Sequence, residues 1–554
     1  MKTFHWRFSV LAALLFALAG PPAAASAKEP AAARPADAKD LRFTLRYRKE
    51  TTSGSGMHHA LTRTEFWKPA QTAIIVCDMW DLHHCKNATL RGAELAPRMN
   101  KVLQEARQRG VTIIHAPSSC MAAYKDHPAR KRALSTPKAT NLPKDISSWC
   151  YKIPAEEKGT YPIDQTDGGE DDDPAEHKAW AAKLKAMGRN PRAPWKTQTA
   201  LLEIADRDYI TDNGVTNWSI LEARGIKNVV LLGVHTNMCV LGRPFGLRQM
   251  AKNGKNVVLM RDMTDTMYNP LRKPFVSHFT GTDLIVEHIE KYVCPTVTSD
   301  QLLGGKPFRF KNDKRPRLAI VMSEKEYRTN KTLPKFAIAQ LGKHFSIELV
   351  HGNLKNHTLP GVIEALKDAD VLFLSVRRQT PKRVELAAIR KFIASGKPVL
   401  GIRTSSHAFC LKNGSSKPFA EGHAAWPELD AEVWGGHYTG HHGNQYKPAI
   451  RVADGAEKHQ ILSGVKFNGY RSGGSLYQTR PLAKTTKAVL LGQIEGHPAE
   501  PVAWTNTPKT GNRTFYTSLG HVDDFKSPAF NRFLRNAVYW AAGAKVSDRV
   551  PPGF

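Results

Sequence analysis

A cysteine and an aspartate follow two apolar runs at positions where their side chains could react with each other. The run 229–234 contains Gly233 and is followed by Cys239, where we expect a helix to begin. The positive end of a helix favours a thiolate over a thiol. A second apolar run, 72–77, is followed directly by Asp78. Because the carboxyl ends of parallel strands share one crevice, Asp78 could take the proton of Cys239 and make it a nucleophile. The run before Cys239, taken alone, is equally compatible with a buried structural cysteine.

The stretch Gly233-Val-His-Thr-Asn-Met-Cys239-Val resembles the cysteine motif of the isochorismatase-like cysteine hydrolases, a family that includes amidases acting on small amides. The resemblance covers approximately residues 66–300. It implies that Asp78 is the general base and Cys239 the nucleophile, and that no cofactor is required for the cysteine chemistry. It also implies a cis peptide bond between Val234 and His235, with backbone N–H groups at Met238 and Cys239 stabilising an oxyanion.

Two departures from the family pattern concern the positive charge and the metal signature. The family carries a lysine upstream of the cysteine, and counting back by usual element lengths leads to Arg207, with Lys196 as the alternative. An arginine does not deprotonate, but it can stabilise a thiolate. The Asp-x-His metal signature of nicotinamidases is missing around His115, which argues against that activity. We expect His83, His115 and Asp262 to line the pocket.

The amino terminus points to an exported protein, and the distribution of charge does not point to a nucleic-acid partner. The chain has 554 residues and a formal net charge of +30. The basic residues are scattered and no nucleic-acid motif is present, so we predict no nucleic-acid partner. Residues 1–27 have the positive, apolar and small-residue regions of a secretory signal, which predicts a periplasmic or secreted protein. No later run is long enough to predict a transmembrane segment.

The seven cysteines are an odd number, so an oxidising compartment would leave at least one free thiol or an intermolecular disulfide. This is compatible with a free Cys239. Cys85 and Cys120 are expected just beyond neighbouring strands, where a disulfide could join them. Residues 28–65 are interpreted as a linker and amino-terminal extension, and residues 120–196 as a long insertion that could cover the cysteine pocket.

A new alternation of strands and helices begins after a polar, basic linker at residues 301–316. Strands that alternate with helices predict a parallel sheet with right-handed crossovers. Together with the first half, the pattern predicts two doubly wound, parallel-sheet, Rossmann-like α/β domains of three layers after the signal peptide. The first domain is expected over 66–300 and the second over 317–546.

The second half resembles the ThuA-like (trehalose utilisation) family, which has a class I glutamine amidotransferase-like fold. The matching motifs are 369–375, 401–409, 435–442 and 517–525. In amidotransferases the turn after the corresponding strand carries the nucleophilic cysteine, and here that turn begins with Arg403, so amidotransferase chemistry is not expected. Histidine binds metals and, with aspartate, can do acid–base work. The expected site residues are Arg403, His407, His437, His441, His521 and Asp523, and the four histidines could ligate a divalent metal.

Two functions therefore stay open from the sequence. The first is an exported cysteine hydrolase acting on a small amide or related carbonyl compound, coupled to a ThuA-like domain that binds or converts sugars. The second is a carbohydrate-degrading or carbohydrate-binding protein that works through the ThuA-like domain, with the first domain catalytically retired. Both predict a small-molecule substrate, and both are compatible with a homo-oligomer.

Overall fold

The computed structural model describes residues 40–547. These residues form two eight-stranded, mostly parallel sheets with flanking helices, so the prediction of two α/β domains is confirmed. We call residues 41–303 the first unit and residues 317–541 the second unit. The expected signal peptide lies outside the described residues.

The first sheet has the strand order β2-β1-β8-β7-β6-β3-β4-β5. Strands β3 to β8 are parallel, and β1 pairs antiparallel with both β8 and β2. The strands are β1 (Leu41–Glu50), β2 (His58–Trp67), β3 (Thr72–Cys77), β4 (Thr112–Ala116), β5 (Tyr209–Ile210), β6 (Asn228–Val234), β7 (Asn256–Asp265) and β8 (Thr296–Val297). Its helices are α1 (Lys86–Gln108), α2 (Pro128–Ser135), α3 (Pro174–Ala186), α4 (Gly214–Ala223), α5 (Leu247–Lys252), α6 (His278–Tyr292) and α7 (Asp300–Leu303).

The first sheet begins earlier in the chain than the sequence indicates. Residues 41–65 of the expected linker and extension form the β1–β2 hairpin together with the first two residues of the expected domain. Its inward side chains alternate with outward ones, and Leu41, Phe43 and Leu45 are buried. The outward positions of β1 include several arginines, which gave this segment a polar composition.

The second sheet has the strand order β10-β9-β11-β12-β18-β17-β16-β14. Its first five strands are parallel and the last three antiparallel. The strands are β9 (Arg317–Ser323), β10 (Ser346–His351), β11 (Val371–Val376), β12 (Val399–Ile402), β14 (Ala449–Val452), β16 (Thr486–Gln493), β17 (Glu500–Asn506) and β18 (Thr514–Thr517), and a separate ribbon pairs β13 (Gly440–His441) with β15 (Tyr477–Gln478). Its helices are α8 (Thr329–Phe336), α9 (Val362–Lys367), α10 (Arg383–Ala394) and α11 (Pro528–Ala541).

Both faces of each sheet are covered. In β3, Ala73 and Ile75 pack into one apolar cluster, whereas Ile74 and Val76 pack into another on the opposite face. Because neighbouring side chains of a strand point to opposite faces, two clusters per sheet mean helix layers on both sides. In β9, Ile320 and Val321 divide between two clusters in the same way.

The β1–β2 hairpin joins the two units. Arg48 in β1 contacts Glu290 of the first unit at 3.2 Å and Glu348 of the second at 3.1 Å. A Cβ atom on Gly361 would lie 2.3 Å from the backbone oxygen of Ala60 in β2, so the backbones are in close contact. Within residues 40–547, no helix has the length and apolar character that crossing a bilayer requires.

Candidate functional site

Asp78 lies at the carboxyl end of β3, with its side chain fully buried. Its backbone has a φ of 48°, a left-handed conformation that turns the chain sharply after the strand. One carboxylate oxygen accepts a 2.7 Å hydrogen bond from the Ser118 backbone N–H, which follows β4. Adjacent strand ends therefore fix the carboxylate in place.

Cys239 lies in a π-helical turn, Thr236–Val240, directly after β6. The Val234–His235 peptide bond before this turn is cis, at the position that the family resemblance implies. Gly233 has a φ of 113°, and a Cβ atom there would lie 2.0 Å from the Cys77 carbonyl oxygen. Glycine thus allows β6 to approach β3 closely, which brings the turn next to Asp78.

The thiol of Cys239 donates a hydrogen bond to the Asp78 carboxylate. Burial raises the pKa of Asp78 above its ordinary value, against the opposing effects of Arg243 and the Ser118 hydrogen bond. Burial and the Asp78 charge also raise the pKa of Cys239. A thiolate would therefore form here when the Cys239 thiol transfers its proton directly to Asp78. Burial has increased the affinity of Asp78 for that proton.

Arg243 supplies the positive charge at this pair. Its Nε lies 3.0 Å from the second carboxylate oxygen of Asp78, and although burial opposes it, the Asp78 charge raises the pKa of Arg243. The backbone N–H of Arg243 donates to the Cys239 carbonyl oxygen, so the two residues are one helical turn apart. Four-residue spacing was the sequence signal that could have identified Arg243.

The two cations expected from the sequence lie elsewhere. The Arg207 guanidinium donates to the Arg107 carbonyl oxygen at the end of α1, at the amino edge of the sheet, because Arg207 precedes β5. Lys196 is exposed, and its backbone N–H donates to Asp81. The structure brings neither side chain to Asp78, for which Arg243 is the ion-pair partner among the described residues.

Aromatic rings line the segments next to the reacting residues. The Trp80 ring stacks on Trp195 at 4.5 Å, and the His83 ring meets His235 edge-on at 4.5 Å. Burial lowers the pKa of His235 to about 3, so the ring is neutral at pH 7. Trp80 follows Asp78 by two residues and His235 precedes Cys239 by four, so these aromatic rings belong to the segments that carry the reacting residues.

The long insertion expected at residues 120–196 contacts the cysteine turn. The Trp149 ring packs against the Arg243 guanidinium at 5.0 Å. Tyr161 donates its hydroxyl to the Asn237 carbonyl oxygen at 3.2 Å, and the Asn237 side chain donates to Gln165 at 2.9 Å. The insertion therefore packs directly against the turn that carries Cys239.

Three further expected residues have other partners. His115 is buried in β4 between Gln198 and Asp208, at 3.0 and 3.2 Å. Asp262 does not reach the cysteine crevice, because β7 continues to Asp265; it accepts hydrogen bonds from Ser299 and from the Phe308 backbone instead. The Met238 backbone N–H already donates to the His235 carbonyl oxygen.

The disulfide considered for Cys85 and Cys120 is not formed. All seven cysteines are free thiols. The Cys85 thiol instead donates toward Asp171 and Asp172, at 3.5 and 3.3 Å. The Cys85 sulfur and one carboxylate oxygen each of Asp171 and Asp172 all lie within 4.8 Å of one another. Among residues 40–547, they are the group of three potential metal-ligand atoms with this spacing.

In the second unit, Arg403 occupies the turn after β12. Its φ is 51°, and its guanidinium is buried between the rings of Tyr327 and Tyr477, 4.4 and 4.5 Å from their centres. It donates to the Ser475 carbonyl oxygen at 3.0 Å and to the Ser475 hydroxyl at 2.8 Å. With only 1% of its surface exposed, Arg403 fills the base of the crevice and supports the residues above it.

His407 and His441 converge on Tyr438. The His407 ring lies 4.7 Å from the Tyr438 ring, and the Tyr438 hydroxyl is 3.0 Å from Nδ1 of His441. Burial and the nearby cations Arg378, Arg377 and Arg403 lower the pKa of His407 to about 3. The neutral His407 ring therefore lies close to positive charge. We call the group formed by His407, Tyr438 and His441 the Tyr438 pocket.

The remaining expected residues of this unit lie farther out. His437 is exposed, and His521 stands against Asp523 at 3.4 Å and against the Tyr327 ring. Within residues 40–547, no three ligand atoms of His407, His437, His441 and His521 lie within 4.8 Å of one another. The expected divalent metal is thus left as a proposal.

Asp430 is a residue of this site that sequence reasoning missed. One carboxylate oxygen accepts a 2.7 Å hydrogen bond from the Tyr438 backbone N–H, and the other is buried with no hydrogen-bond partner. Desolvation raises the pKa of Asp430 to about 7. No local motif marks it, because its burial depends on how residues 430–438 fold over the sheet.

Three solved structures with similar folds each cover less than half of this chain. A ThuA-like protein from Bacteroides uniformis is 17% identical over 43% of this chain and 95% of its own, with a TM-score of 0.31. A cysteine hydrolase from Pseudomonas syringae pv. phaseolicola is 16% identical over 43% and 93%, with a TM-score of 0.26. An isochorismatase family protein from Burkholderia thailandensis is 16% identical over 42% and 93%, with a TM-score of 0.23. No curated protein matches the sequence.

The second unit also matches a family model. The model is described as ThuA, trehalose utilisation, and it matches residues 317–541, from the first strand of the second sheet to the end of α11. The turn at Arg403 and the Tyr438 pocket both lie inside the matched segment. The carboxyl-terminal unit of this chain is a ThuA domain.

Proposed function

We propose that the first unit is a cysteine hydrolase that cleaves a small amide or a related carbonyl compound. The observation that carries the proposal is the buried Cys239–Asp78–Arg243 arrangement, in which a thiol donates to a carboxylate that is paired with a guanidinium. A nucleophile, a base within hydrogen-bond reach and a group that orients the base are the parts that covalent catalysis requires. The neighbouring aromatic rings suit a planar substrate.

The proposed reaction has two steps, the formation of a thioester on Cys239 and its hydrolysis. The Cys239 proton passes to Asp78 while the sulfur attacks the carbonyl carbon, and collapse of the adduct breaks the C–N bond. The amine leaves with the proton held by Asp78, and a thioester remains on the cysteine. Water then attacks the thioester and gives a proton to Asp78, and the sulfur departs and regains a proton. Arg243 stabilises the negative charge that moves between sulfur and carboxylate.

The test combines thiol labelling with hydrolysis. Iodoacetamide should label Cys239 of the wild type at neutral pH. In Asp78→Asn the burial that raises the thiol pKa remains and no base takes the proton, so labelling should begin only above the ordinary thiol pKa of about 8.5. A panel of small planar amides should release ammonia or amine in the wild type and not in Cys239→Ala. Identical labelling profiles in wild type and Asp78→Asn would refute a working pair.

A second proposal concerns the ThuA domain, which we propose binds or converts sugars in the Tyr438 pocket. The support is the set of rings from His407, Tyr438 and Tyr477, because flat rings pack well against the C–H faces of sugars. If this activity requires the expected divalent metal, chelation should abolish it. His407→Ala should remove it and leave the amide reaction intact, and Cys239→Ala should do the reverse.

We also propose that the protein is exported, on the basis of the charged, apolar and small-residue pattern of residues 1–27. The amino-terminal sequence of the protein recovered from the periplasm or medium tests this. A mature terminus close to residue 28 is expected, and an intact first methionine in a cytosolic fraction would contradict it.

A further inference from the structure

Arg378 and Arg403 follow two neighbouring strands of the second sheet, β11 and β12, in left-handed backbone conformations. Their φ angles are 50° and 51°. Open α/β sheets bind ligands at the carboxyl ends of their parallel strands, and strained backbone is typical of functional positions. The Arg378 backbone N–H donates to the His407 carbonyl oxygen at 3.1 Å. This arginine therefore stands beside the Tyr438 pocket.

The protein uses only part of the Arg378 guanidinium. Its Nη1 donates to the Leu411 carbonyl oxygen at 3.1 Å. Among residues 40–547, Nε and Nη2 have no hydrogen-bond partner and the guanidinium has no ion-pair partner. The side chain is half-buried, and these two nitrogens are not enclosed as Nε of Arg403 is. One edge of the guanidinium is therefore available to a ligand.

The two other arginines near this pocket are held by the protein itself. Arg377 pairs with the Glu326 carboxylate at 2.5 Å, which offsets its charge. Arg403 is enclosed between two tyrosine rings and donates to the carbonyl oxygen and the hydroxyl of Ser475. Of the three, Arg378 is the arginine that combines a charge without an ion-pair partner, among the described residues, with an accessible edge.

The charge of Arg378 acts on two rings of the Tyr438 pocket. Burial lowers the pKa of His407, and Arg378 is the charged group that lowers it most. Burial raises the pKa of Tyr438, and Arg378 is the charged group that opposes this rise most. Since Coulomb effects fall with distance, the guanidinium lies close to both rings.

Four carboxylates around the pocket are already paired, hydrogen-bonded or protonated. Glu326 pairs with Arg377. Glu324, which follows β9, is 2% exposed and accepts hydrogen bonds from two backbone N–H groups. Asp524 accepts from two hydroxyl groups and three backbone N–H groups. Desolvation raises the pKa of Asp430 to about 7, so a large part of it is uncharged at neutral pH. The free guanidinium edge is thus left for a ligand.

We propose that the ThuA domain binds a sugar that carries a carboxylate or phosphate group, with Arg378 holding that group and the Tyr438 pocket contacting the sugar ring. Nε and Nη2 lie on one edge of a guanidinium and can donate to two oxygens of the same oxyanion. The inference rests on the proposed sugar binding by this domain and adds that the ligand is anionic.

Saturation-transfer difference NMR titrations of the full chain compare four probes: D-glucose, D-glucuronate, glucose 6-phosphate and acetate. Concentrations up to roughly 50 mM cover weak, millimolar affinity. At least one anionic sugar should bind roughly tenfold more tightly than D-glucose, or better, which is the effect of one charge-assisted hydrogen bond. The sugar that binds more tightly distinguishes a carboxylate from a phosphate ligand. Acetate should bind more weakly than that sugar, because it has no ring to contact the pocket.

Three variants locate the anion. Arg378→Gln should remove the preference for the anionic sugar, whereas Arg378→Lys keeps the charge without the two-pronged edge and should keep part of the preference. Arg451→Gln is the matched control, because it removes the same charge from β14 at the far edge of the sheet and should leave the preference unchanged. Circular dichroism verifies that each variant folds, and Arg378→Lys carries the test if Arg378→Gln does not fold.

The outcomes separate this inference from sugar binding as such. If the wild type binds D-glucose as tightly as the anionic sugars, or if the preference survives in Arg378→Gln, the inference is overturned and sugar binding stands. If acetate binds and no sugar does, or if none of the four probes binds, both are overturned.

Discussion

The Arg243 guanidinium lies 3.0 Å from the Asp78 carboxylate although the two residues are 165 positions apart in the chain. The contact links the end of β3 to the first helical turn after Cys239, so the base and the nucleophile are held by one ion pair. Asp78 is fully buried and the Arg243 side chain is 24% exposed. A partly desolvated pair of this kind orients the carboxylate and also lowers the energy of a thiolate nearby.

Replacing Arg243 by methionine should therefore slow the chemistry of Cys239. Without the cation, the thiolate loses its stabilising charge, and we expect iodoacetamide labelling at pH 7 to fall roughly tenfold, as for a thiol pKa one unit higher. Peptide mass spectrometry after timed labelling gives the rate. Arg207→Met is the matched control, because its guanidinium contacts the Arg107 carbonyl oxygen and should leave labelling unchanged. A slower rate in Arg207→Met and not in Arg243→Met would reverse the assignment of the charge.

Gly233 should be indispensable for the approach of β6 to β3. In Gly233→Ala, the new Cβ atom would stand 2.0 Å from the Cys77 carbonyl oxygen, at a φ of 113°. We expect a loss of about 3 kcal/mol or more in the free energy of unfolding, because strand backbones have to move apart. Urea unfolding measures it.

The control for this substitution is Gly225→Ala. Gly225 also has a positive φ, of 62°, but a Cβ atom there would meet nothing within 4 Å. The expected cost is about 1 kcal/mol, from backbone strain alone. Equal losses in the two variants would mean that the contact with Cys77 does not limit the packing of β6.

The sequence predicted the parts of the fold that depend on local pattern. Uninterrupted apolar runs such as 72–77 and 229–234 are typical of strands buried on both faces, and both form central strands. The β1–β2 hairpin was missed because its alternation is half polar and its segment follows an alanine- and proline-rich stretch. An edge hairpin that is buried on one side has no composition that separates it clearly from a linker.

The proximity of Asp78 and Cys239 could be predicted from the strands that they follow. Asp78 and Cys239 come together because each follows a strand and the two strands are neighbours in a parallel sheet. Arg243 was missed although its four-residue spacing from Cys239 places it one helical turn away, because its pairing with Asp78 depends on long-range packing. Asp430 was not identified, because its role depends on desolvation that long-range packing creates.

Buried neutral histidines should make the protein lose stability in weak acid. Burial lowers the pKa of His235 to about 3, of His407 to about 3 and of His351 to about 4. Between these values and about 6.5, the unfolded chain takes up protons that the folded chain does not, so the free energy of unfolding falls as the pH falls. Below about pH 4.5, carboxylates such as Glu156, whose pKa is lowered to about 2 by its histidine and arginine partners against the effect of burial, add a loss of the same sign.

Urea unfolding at intervals between pH 7 and 4.5 checks this histidine effect. We expect His407→Phe to reduce the slope of stability against pH, because one group that would bind a proton on unfolding is removed. His437→Phe, at an exposed position of the same segment, is the control and should leave the slope as it is. A stability that stays constant over this interval in the wild type would contradict the prediction.

Asp430 should act on stability in the opposite direction. Desolvation raises its pKa to about 7, from an ordinary value near 3.8. Between these two values the folded protein holds a proton that the unfolded chain has released, so this residue makes the free energy of unfolding fall as the pH rises. Asp430→Asn keeps an acceptor oxygen for the Tyr438 N–H and cannot ionise. Its stability relative to the wild type should therefore increase from pH 4 to pH 7 and then level off, whereas a difference that does not change with pH would mean that Asp430 ionises as in water.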